Sequence, residues 1–354
     1  MTDSNIPSMK LALIAPVWFE IPPPAYGGIE WICAWLAEGL VDRGHEVTLI
    51  GAGRNRTSAN FLPTFAEPPS ERLGESLPEV IHAAAADQYL QGLDLDLVHD
   101  HTLCGPLQAR GRATPTVVTA HGPVAGELGS YFRKLGDGIS LVAISNSQRA
   151  EAPDLNWCAT VHNAIPVNDY PFRADKEDFL LFLGRMSPDK GVHLAIEAAR
   201  EAGRPLVIAG KCNEPAEMAY FDSRIRPLLG SDIEWIGQAD AARKKDLLSR
   251  AHCFLFPIRW AEPFGIVMVE AMACGTPVVA LRGGSVNEVV AHGTTGFICD
   301  KPSELPSFID RAGHLTPSAC REHAMSRFDV SKMVEGYEQA FQKTLSMRTS
   351  GLLA

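Results

Sequence analysis

Two glutamates on either side of a helix start are the side chains in this sequence best placed to bind a ligand. Glu262 lies in a loop, and Glu270 lies about two turns into the helix that follows. Unpaired backbone N–H groups at a helix start suit an anion such as a diphosphate. A carboxylate at Glu270 can accept two hydrogen bonds from vicinal hydroxyls, as on a ribose. The predicted helix start consists of Pro263, Phe264, Gly265 and Ile266.

The apolar character of this helix favours a functional role for its glutamate. Glutamates are common in helices, so two of them at this spacing would mean little by themselves. Here Glu270 is surrounded by apolar residues, where a carboxylate without a partner is costly. We therefore predict that Glu270 binds a ligand.

A second candidate group follows an apolar strand predicted at 179–183. Gly184 lets the backbone turn tightly, and Arg185 and Lys190 bring two cations close together. Two cations suit an anionic ligand, whereas a surface loop with two solvated cations is the alternative that this segment alone leaves open. The neighbouring glutamate motif favours the anion site.

Two loops in the first half of the chain add candidates. Gly27 and Gly28, after Tyr26, open a helix predicted at 29–43, and this helix N-terminus is again suited to an anion. His121 lies at the end of another predicted strand, where side chains are positioned for chemistry. A glycine pair or a single histidine is also common without a function, so neither is decisive alone.

Two other patterns are interpreted as structural. The basic run Arg243–Lys245 is predicted to be a solvated helix face, because Asp246 lies beside it. The triplet at 99–101 reads His-Asp-His, which are residues that metals prefer. Neighbours in a strand point to opposite faces, so we predict no metal site there.

Short apolar strands that alternate with amphipathic helices must position all these residues. Continuous apolar strands separated by helices predict parallel sheets, and ligands bind at the carboxyl ends of such strands. A loop-rich stretch at 166–178 is interpreted as a linker. It separates an N-terminal domain at 1–165 from a C-terminal domain at 179–327. A helix at about 328–346 is expected to pack back on the first domain.

Taken together, the motifs resemble those of a known family. Glu262, the helix start, Glu270 and the ending Ala271–Val279 are similar to the signature of the family-four retaining glycosyltransferases. The resemblance extends over residues 10–340. It implies an α/β fold of the GT-B type, with two Rossmann-like, doubly wound domains facing a deep cleft. It also implies that the N-terminal domain binds the acceptor and the C-terminal domain binds the nucleotide-sugar.

The resemblance also implies roles for the candidate residues. His121, Glu262, Arg185 and Lys190 would be the catalytic residues. The two cations would neutralise the departing diphosphate of a nucleotide-sugar, His121 would contact the transferred sugar, and Glu262 would hold its hydroxyls. The nucleotide-sugar site would be formed by Gly27, Gly28, Gly184, Arg185, Lys190, Ile236, Gly237, Pro263, Phe264, Gly265, Ile266 and Glu270.

Two chemical alternatives remain open at this point. Backbone groups at Ile236 and Gly237 would face a uracil or a guanine, so the donor is a UDP- or a GDP-sugar. Retention of anomeric configuration through a double displacement needs a carboxylate nucleophile, and Glu262 is the candidate. The other route is a same-face substitution in which the leaving phosphate takes the acceptor proton.

We therefore expect a metal-independent retaining hexosyltransferase that needs no cofactor. Its acceptor hydroxyl would belong to a small secondary metabolite or to a cell-envelope precursor. One alternative is a non-catalytic nucleotide-sugar-binding protein. Another is a nicotinamide-dependent oxidoreductase, but the segment Gly51–Gly53 lacks the third glycine of the dinucleotide fingerprint.

Composition excludes several other classes of function. The net charge of −10 disfavours nucleic-acid binding, which depends on many Lys and Arg contacts with phosphate. The eight cysteines form no Cys-x-x-Cys pair and are expected to be buried free thiols in a reducing compartment. No apolar stretch approaches the roughly 20 residues that span a bilayer. We expect a cytoplasmic protein, of an oligomeric state that the sequence leaves open.

Overall fold

The chain forms two compact units. The computed structural model describes residues 6–24 and 27–349, except the side chains of 348 and 349. The second unit is Ala164–Asp329, and the first unit contains the described residues on either side of it. The second unit is therefore an insertion into the first along the chain.

Within the described ranges, the first unit has a seven-stranded parallel sheet in the order β3-β2-β1-β4-β5-β6-β7. The order reverses between β1 and β4, as it does in doubly wound folds. The strands are β1 (Lys10–Ile14), β2 (Glu46–Ala52), β3 (Asn60–Phe65), β4 (Leu97–Asp100), β5 (Thr116–Ala120), β6 (Ser140–Ala143) and β7 (Trp157–Thr160). The helices between them are α1 (Gly28–Asp42), α2 (Ser76–Leu90), α3 (Glu127–Leu135) and α4 (Asn146–Glu151).

The second unit, all of which the structure describes, has a six-stranded parallel sheet in the order β10-β9-β8-β11-β12-β13. Here the order reverses between β8 and β11. The strands are β8 (Leu180–Leu183), β9 (Leu206–Ala209), β10 (Ile233–Trp235), β11 (Cys253–Phe256), β12 (Val278–Leu281) and β13 (Gly296–Cys299). The helices are α5 (Val192–Glu201), α6 (Pro215–Tyr220), α7 (Ala241–Arg250), α8 (Ile266–Ala273), α9 (Val286–Val289), α10 (Leu305–Ala312) and α11 (Pro317–Phe328).

The burial of the strands explains why their sequences are almost continuously apolar. All four residues of β11 and of β12 are buried, and so are the last four of β1. Strands covered by helices on both faces lose the alternation of polar and apolar residues. The predicted α/β fold with two Rossmann-like sheets is confirmed.

Some features differ from the sequence-based expectations. The strands β3, β7 and β13 were not predicted. The segment 166–178 lies wholly within the second unit and contains a 3-10 turn at Val167–Asp169. Lys176 in this segment donates hydrogen bonds to the carbonyls of Ser249 and Cys274.

Two further expectations concern the state of the cysteines and the presence of membrane-spanning segments. All eight cysteines are free thiols, and six of them are buried. None of the described helices combines the length and the apolar character that crossing a membrane requires.

A last helix, α12 (Val330–Thr349), belongs to the first unit and is attached there by a buried carboxylate. Glu338 accepts hydrogen bonds from Arg43 Nη1 at 2.7 Å and from His45 Nε2 at 3.0 Å. His45 carries its proton on Nε2, because its Nδ1 accepts the backbone N–H of Met9 at 3.1 Å. This network joins α12 to the end of α1 and to the segment before β2.

We predict that Glu338→Ala lowers the free energy of unfolding of the first unit by about 1.5–3 kcal/mol, the range for hydrogen bonds to a charged group. The matched control is Glu335→Ala on the same helix, where a half-buried Glu335 pairs with Lys332 and should contribute at most about 1 kcal/mol. Hydrogen exchange of the α12 amides measures both. Equal effects of the two substitutions would contradict the anchoring role of Glu338.

Candidate functional site

Candidate residues of the second unit lie at the point where the strand order of its sheet reverses. Gly184 directly follows β8, and the loop that carries Glu262 follows β11, the strand hydrogen-bonded to β8. The carboxyl ends of two such neighbouring strands are where doubly wound sheets bind ligands. Two of the predicted motifs therefore come together because of the sheet topology.

Lys190 and Glu262 form an ion pair between these two loops. Lys190 Nζ lies 2.8 Å from Glu262 Oε2 and 4.8 Å from the centre of the Trp260 ring. The Glu262 backbone is held as well, because its carbonyl accepts the N–H of Ser285 at 3.0 Å. Lys190 is thus a cation whose charge is already shared with a carboxylate, so an arriving anion would compete with Glu262 for it.

Arg185 pairs with a different carboxylate, which the sequence analysis did not identify. The exposed Arg185 places Nη1 3.5 Å from Oε1 of Glu217, a buried residue of α6. The other oxygen of Glu217 accepts the backbone N–H groups of Asn213 and Glu214, at 3.1 and 3.3 Å. Glu217 therefore has a fixed orientation and holds the Arg185 guanidinium loosely.

Glu270 is buried, but it has partners. Its Oε1 accepts hydrogen bonds from Lys244 Nζ at 2.6 Å and from Tyr170 Oη at 2.8 Å. Burial and the Glu270 carboxylate raise the pKa of Tyr170 well above its usual value, so the phenol keeps its proton and donates. Only 5% of the residue is exposed. Both bonds use the same oxygen, so Oε2 is the atom left for a ligand.

These contacts correct two sequence-based interpretations. Glu270 is not a carboxylate without a partner, so its burial alone does not argue for a function. The basic run Arg243–Lys245 is not simply a solvated face of α7, because Lys244 reaches Glu270 and Lys245 lies 4.4 Å above the Tyr170 ring. An assignment based on the neighbouring charges could not show that the helix turns these two side chains towards α8 and the segment before β8.

The start of α8 depends on the backbone freedom of Gly265. This residue has φ of 72°, in the left-handed region, and a Cβ there would lie 2.7 Å from the Met268 side chain. Ser285 Oγ donates to the carbonyl of the buried Phe264 at 2.7 Å. The turn formed by Pro263, Phe264, Gly265 and Ile266 is therefore fixed before any ligand arrives.

In the segment predicted to face the nucleotide base, some backbone N–H and C=O groups are already hydrogen-bonded within the protein. The N–H of Ile236 donates to the Ile208 carbonyl at 3.0 Å, and the Gly237 carbonyl accepts the N–H of Gly210 at 2.9 Å. These bonds continue the pairing of β9 with β10. The Ile236 carbonyl and the Gly237 N–H are the groups that remain for a base.

A buried glutamate lies close to the glycine turn at the start of α1 in the first unit. Tyr26 lies outside the described residues. Gly27 has φ of 137°, and Gly28 begins α1. In the first turn of α1, Glu30 is 3% exposed, and burial raises its pKa to about 7, with a further contribution from the neighbouring Glu79. An anion at this helix start would therefore lie near a carboxyl group that is half protonated at neutral pH.

His121 directly follows β5 and is held by two elements. Its Nε2 lies 2.8 Å from Nδ1 of His101, which directly follows β4. The buried Gln148 of α4 donates through Nε2 to the carbonyls of Ala120 and Gly122, at 2.8 and 2.7 Å. Gln148 was not predicted, although Ser145-x-x-Gln148 is a helix-start pattern that could have indicated an ordered residue there.

The triplet at 99–101 has hydrogen-bonded partners within the protein. His99 Nε2 lies 2.8 Å from Thr119 Oγ1, and Asp100 accepts the backbone N–H and the hydroxyl of Thr102 at 2.8 Å each. Among the described residues, no three His, Cys, Asp or Glu side chains are grouped so that they could hold a metal ion.

Family models match both units. One, described as Glycosyl transferases group 1, matches residues 170–311, and another, described as Glycosyltransferase Family 4, matches residues 26–174. Glycogen synthase of Mycobacterium tuberculosis is 26% identical over 346 residues, which cover 81% of this chain and 82% of that protein. A phosphatidyl-myo-inositol mannosyltransferase of Mycolicibacterium smegmatis is 26% identical over an alignment 396 positions long, covering 97% of each chain.

A solved glycosyltransferase structure also has a similar fold. The crystal structure of a glycosyltransferase involved in avilamycin A biosynthesis superimposes with a TM-score of 0.71 at 28% identity, covering 96% of this chain and 98% of that one.

The buried Glu30 leads to a prediction about pH. Between pH 4.5 and 7 the folded state keeps a proton on Glu30 that the unfolded state has released, so this carboxyl destabilises the fold increasingly as the pH rises. Glu30→Gln removes the dependence. Relative to this variant, the free energy of unfolding of the native protein should fall by about 3 kcal/mol from pH 4.5 to 7.5. Urea denaturation across this range measures the difference, and a constant difference would contradict it.

Proposed function

Because the chain belongs to the group 1 glycosyltransferases and has the GT-B fold, we propose that it transfers a hexose from a nucleotide-sugar to an acceptor hydroxyl, with retention of configuration and without a metal ion or cofactor. The observation that carries the proposal is the difference between the two glutamates around α8. One is ion-paired to Lys190 before the helix, and the other is buried with one oxygen engaged and one available.

Glu270 is suited to the ribose of the donor. Lys244 and Tyr170 hold its Oε1, which fixes the plane of the carboxylate and leaves the lone pairs of Oε2 for the two vicinal hydroxyls. Lys244 also offsets the cost of burying the charge. In this proposal the nucleotide is UDP or GDP, with its base near Ile236 and Gly237.

Arg185, Lys190 and the start of α8 are suited to the diphosphate. Cleavage of the donor leaves negative charge on the departing phosphate, and cations already positioned there stabilise that charge without reorganising. Arg185 is exposed, and its contact with Glu217 is long, at 3.5 Å. Its guanidinium can therefore move to a ligand without losing a strong ion pair. Lys190 would exchange part of its ion pair with Glu262 for the phosphate.

The ion pair of Glu262 supports the same-face route over a double displacement. A carboxylate that keeps part of its contact with an ammonium group is a weaker nucleophile, because the ammonium stabilises the free anion more than the covalent ester. In the proposed step, the bond from the sugar C1 to the phosphate oxygen breaks and the bond from C1 to the acceptor oxygen forms. The acceptor proton passes to the departing phosphate, while Glu262 holds hydroxyls of the sugar.

The acceptor is proposed to be a hydroxyl on a small secondary metabolite or a cell-envelope precursor. The similarity to a glycosyltransferase involved in avilamycin A biosynthesis supports the first class. The similarity to a phosphatidyl-myo-inositol mannosyltransferase supports the second.

The two glutamates should respond differently to substitution. Glu270→Gln should weaken binding of the free nucleoside diphosphate and of the full donor by about ten- to a hundredfold, the cost of losing charged hydrogen bonds. Glu262→Gln removes the carboxylate that competes for Lys190, so it should not weaken binding of the nucleoside diphosphate, but it should reduce transfer. Calorimetry and initial rates measure these effects, with Glu201→Gln on the exposed side of α5 as the control. Equal weakening by both variants would show that the roles are divided wrongly.

Turnover should survive chelation, because Arg185 and Lys190 supply the positive charge that a divalent cation would otherwise provide. Donor hydrolysis and transfer are measured with and without an excess of EDTA. If EDTA abolishes both and manganese or magnesium restores them, the metal-independent proposal fails.

A further inference from the structure

Three histidines of the first unit form a cluster at the ends of two neighbouring strands. β4 and β5 pair in parallel, so His101 and His121, each one residue past its strand, lie side by side. Their ring centres are 5.1 Å apart, with His101 Nδ1 and His121 Nε2 at 2.8 Å. His99 packs against His101 at 4.1 Å between ring centres, but its own hydrogen bond goes to Thr119.

The backbones of both hydrogen-bonded rings are fixed. The N–H of His101 donates to the Ile14 carbonyl at 3.0 Å. Gln148 holds the carbonyls on both sides of His121. Gln148 is itself held, because its Oε1 accepts the N–H of Ile144 at 2.8 Å. The contact between the two rings is therefore a property of the folded strand ends and not of a mobile loop.

Both rings are neutral at pH 7. Burial lowers the pKa of His121 to about 4, and burial together with the neighbouring histidines lowers the pKa of His101 well below its usual value. A neutral imidazole has one N–H and one lone pair, so one ring must donate to the other.

The surroundings of His101 decide which ring donates. His101 Nε2 is buried and has no hydrogen-bond partner among the described residues. If His121 donated, His101 would carry its proton on this nitrogen, and a buried N–H without an acceptor is rare and costly. If His101 donates from Nδ1, its proton is satisfied. His121 then accepts at Nε2 and carries its own proton on Nδ1.

We propose that His101 is a positioning residue that holds His121 as the Nδ1–H tautomer, so that His121 meets the transferred sugar as a neutral hydrogen-bond donor. The inference rests on the proposed function for the identity of its ligand, an oxygen of the sugar. The lone pair of His121 is already engaged by His101, so this imidazole does not remove the acceptor proton. That assignment agrees with a transfer in which the departing phosphate takes the proton.

The tautomer can be measured without any substrate. In protein labelled with 15N-histidine, long-range proton–nitrogen correlation spectra distinguish protonated from bare ring nitrogens, and His121→Gln identifies the signals of that ring. At pH 7, His121 should show a protonated Nδ1 and a bare Nε2. A protonated Nε2, or a ring that exchanges between both forms, would overturn the proposal.

Kinetics test the positioning role. His101→Leu removes the donor and should lower kcat about five- to tenfold, the effect of one hydrogen bond, with little change in KM for the donor. His101→Asn keeps an N–H near the position of Nδ1 and should restore most of the rate. The matched control is His99→Leu, which removes an equally buried ring that does not bond to His121; its kcat should stay near the native value.

The outcomes separate this inference from the function on which it rests. If His99→Leu and His101→Leu lower kcat alike, or if His101→Asn restores nothing, His101 is only part of the core and the positioning role is wrong. If no nucleotide-sugar is hydrolysed or transferred, the proposed function fails, while the spectra still decide which nitrogen of His121 carries the proton.

Discussion

Parallel strands all end at the same edge of their sheet, and that constraint brings two pairs of candidate residues together in this chain. In the second unit it brings the loop after β8 and the loop after β11 together, so that Lys190 meets Glu262. In the first unit it does the same for His101 and His121. Residues that are about 20 or 70 positions apart in sequence become partners because the strands before them are hydrogen-bonded neighbours.

Two buried carboxylates of the second unit, Glu270 and Glu217, are oriented by their hydrogen-bond partners. Glu270 has a lysine and a tyrosine on one oxygen, and Glu217 has two backbone N–H groups on one oxygen. Such partners reduce the cost of burial and also leave the second oxygen in a defined place. Orientation by packing partners is what distinguishes these groups from surface glutamates. In the proposed function, it prepares Glu270 for the ribose of the donor before the donor binds.

The sequence predicted the type of fold and the loops that carry the candidate residues, because buried parallel strands and glycine-rich turns have strong local patterns. It missed β3 because this edge strand contains Pro63 and is only half-buried. It also missed the partners Lys244, Tyr170 and Gln148. Their roles depend on contacts across 26, 100 and 26–28 positions, and no local pattern encodes such contacts. Lys244 was even assigned to solvent, since its neighbours are charged.

The return of the chain to the first unit through α12 has a consequence for synthesis. Tyr337 and Phe341 of this helix are fully buried in the first unit, yet they leave the ribosome after every residue of the second. The first unit, although it begins the chain, is the last to acquire a complete core. The second unit is continuous in sequence, so it can fold during translation before α12 has been synthesised to complete the first unit.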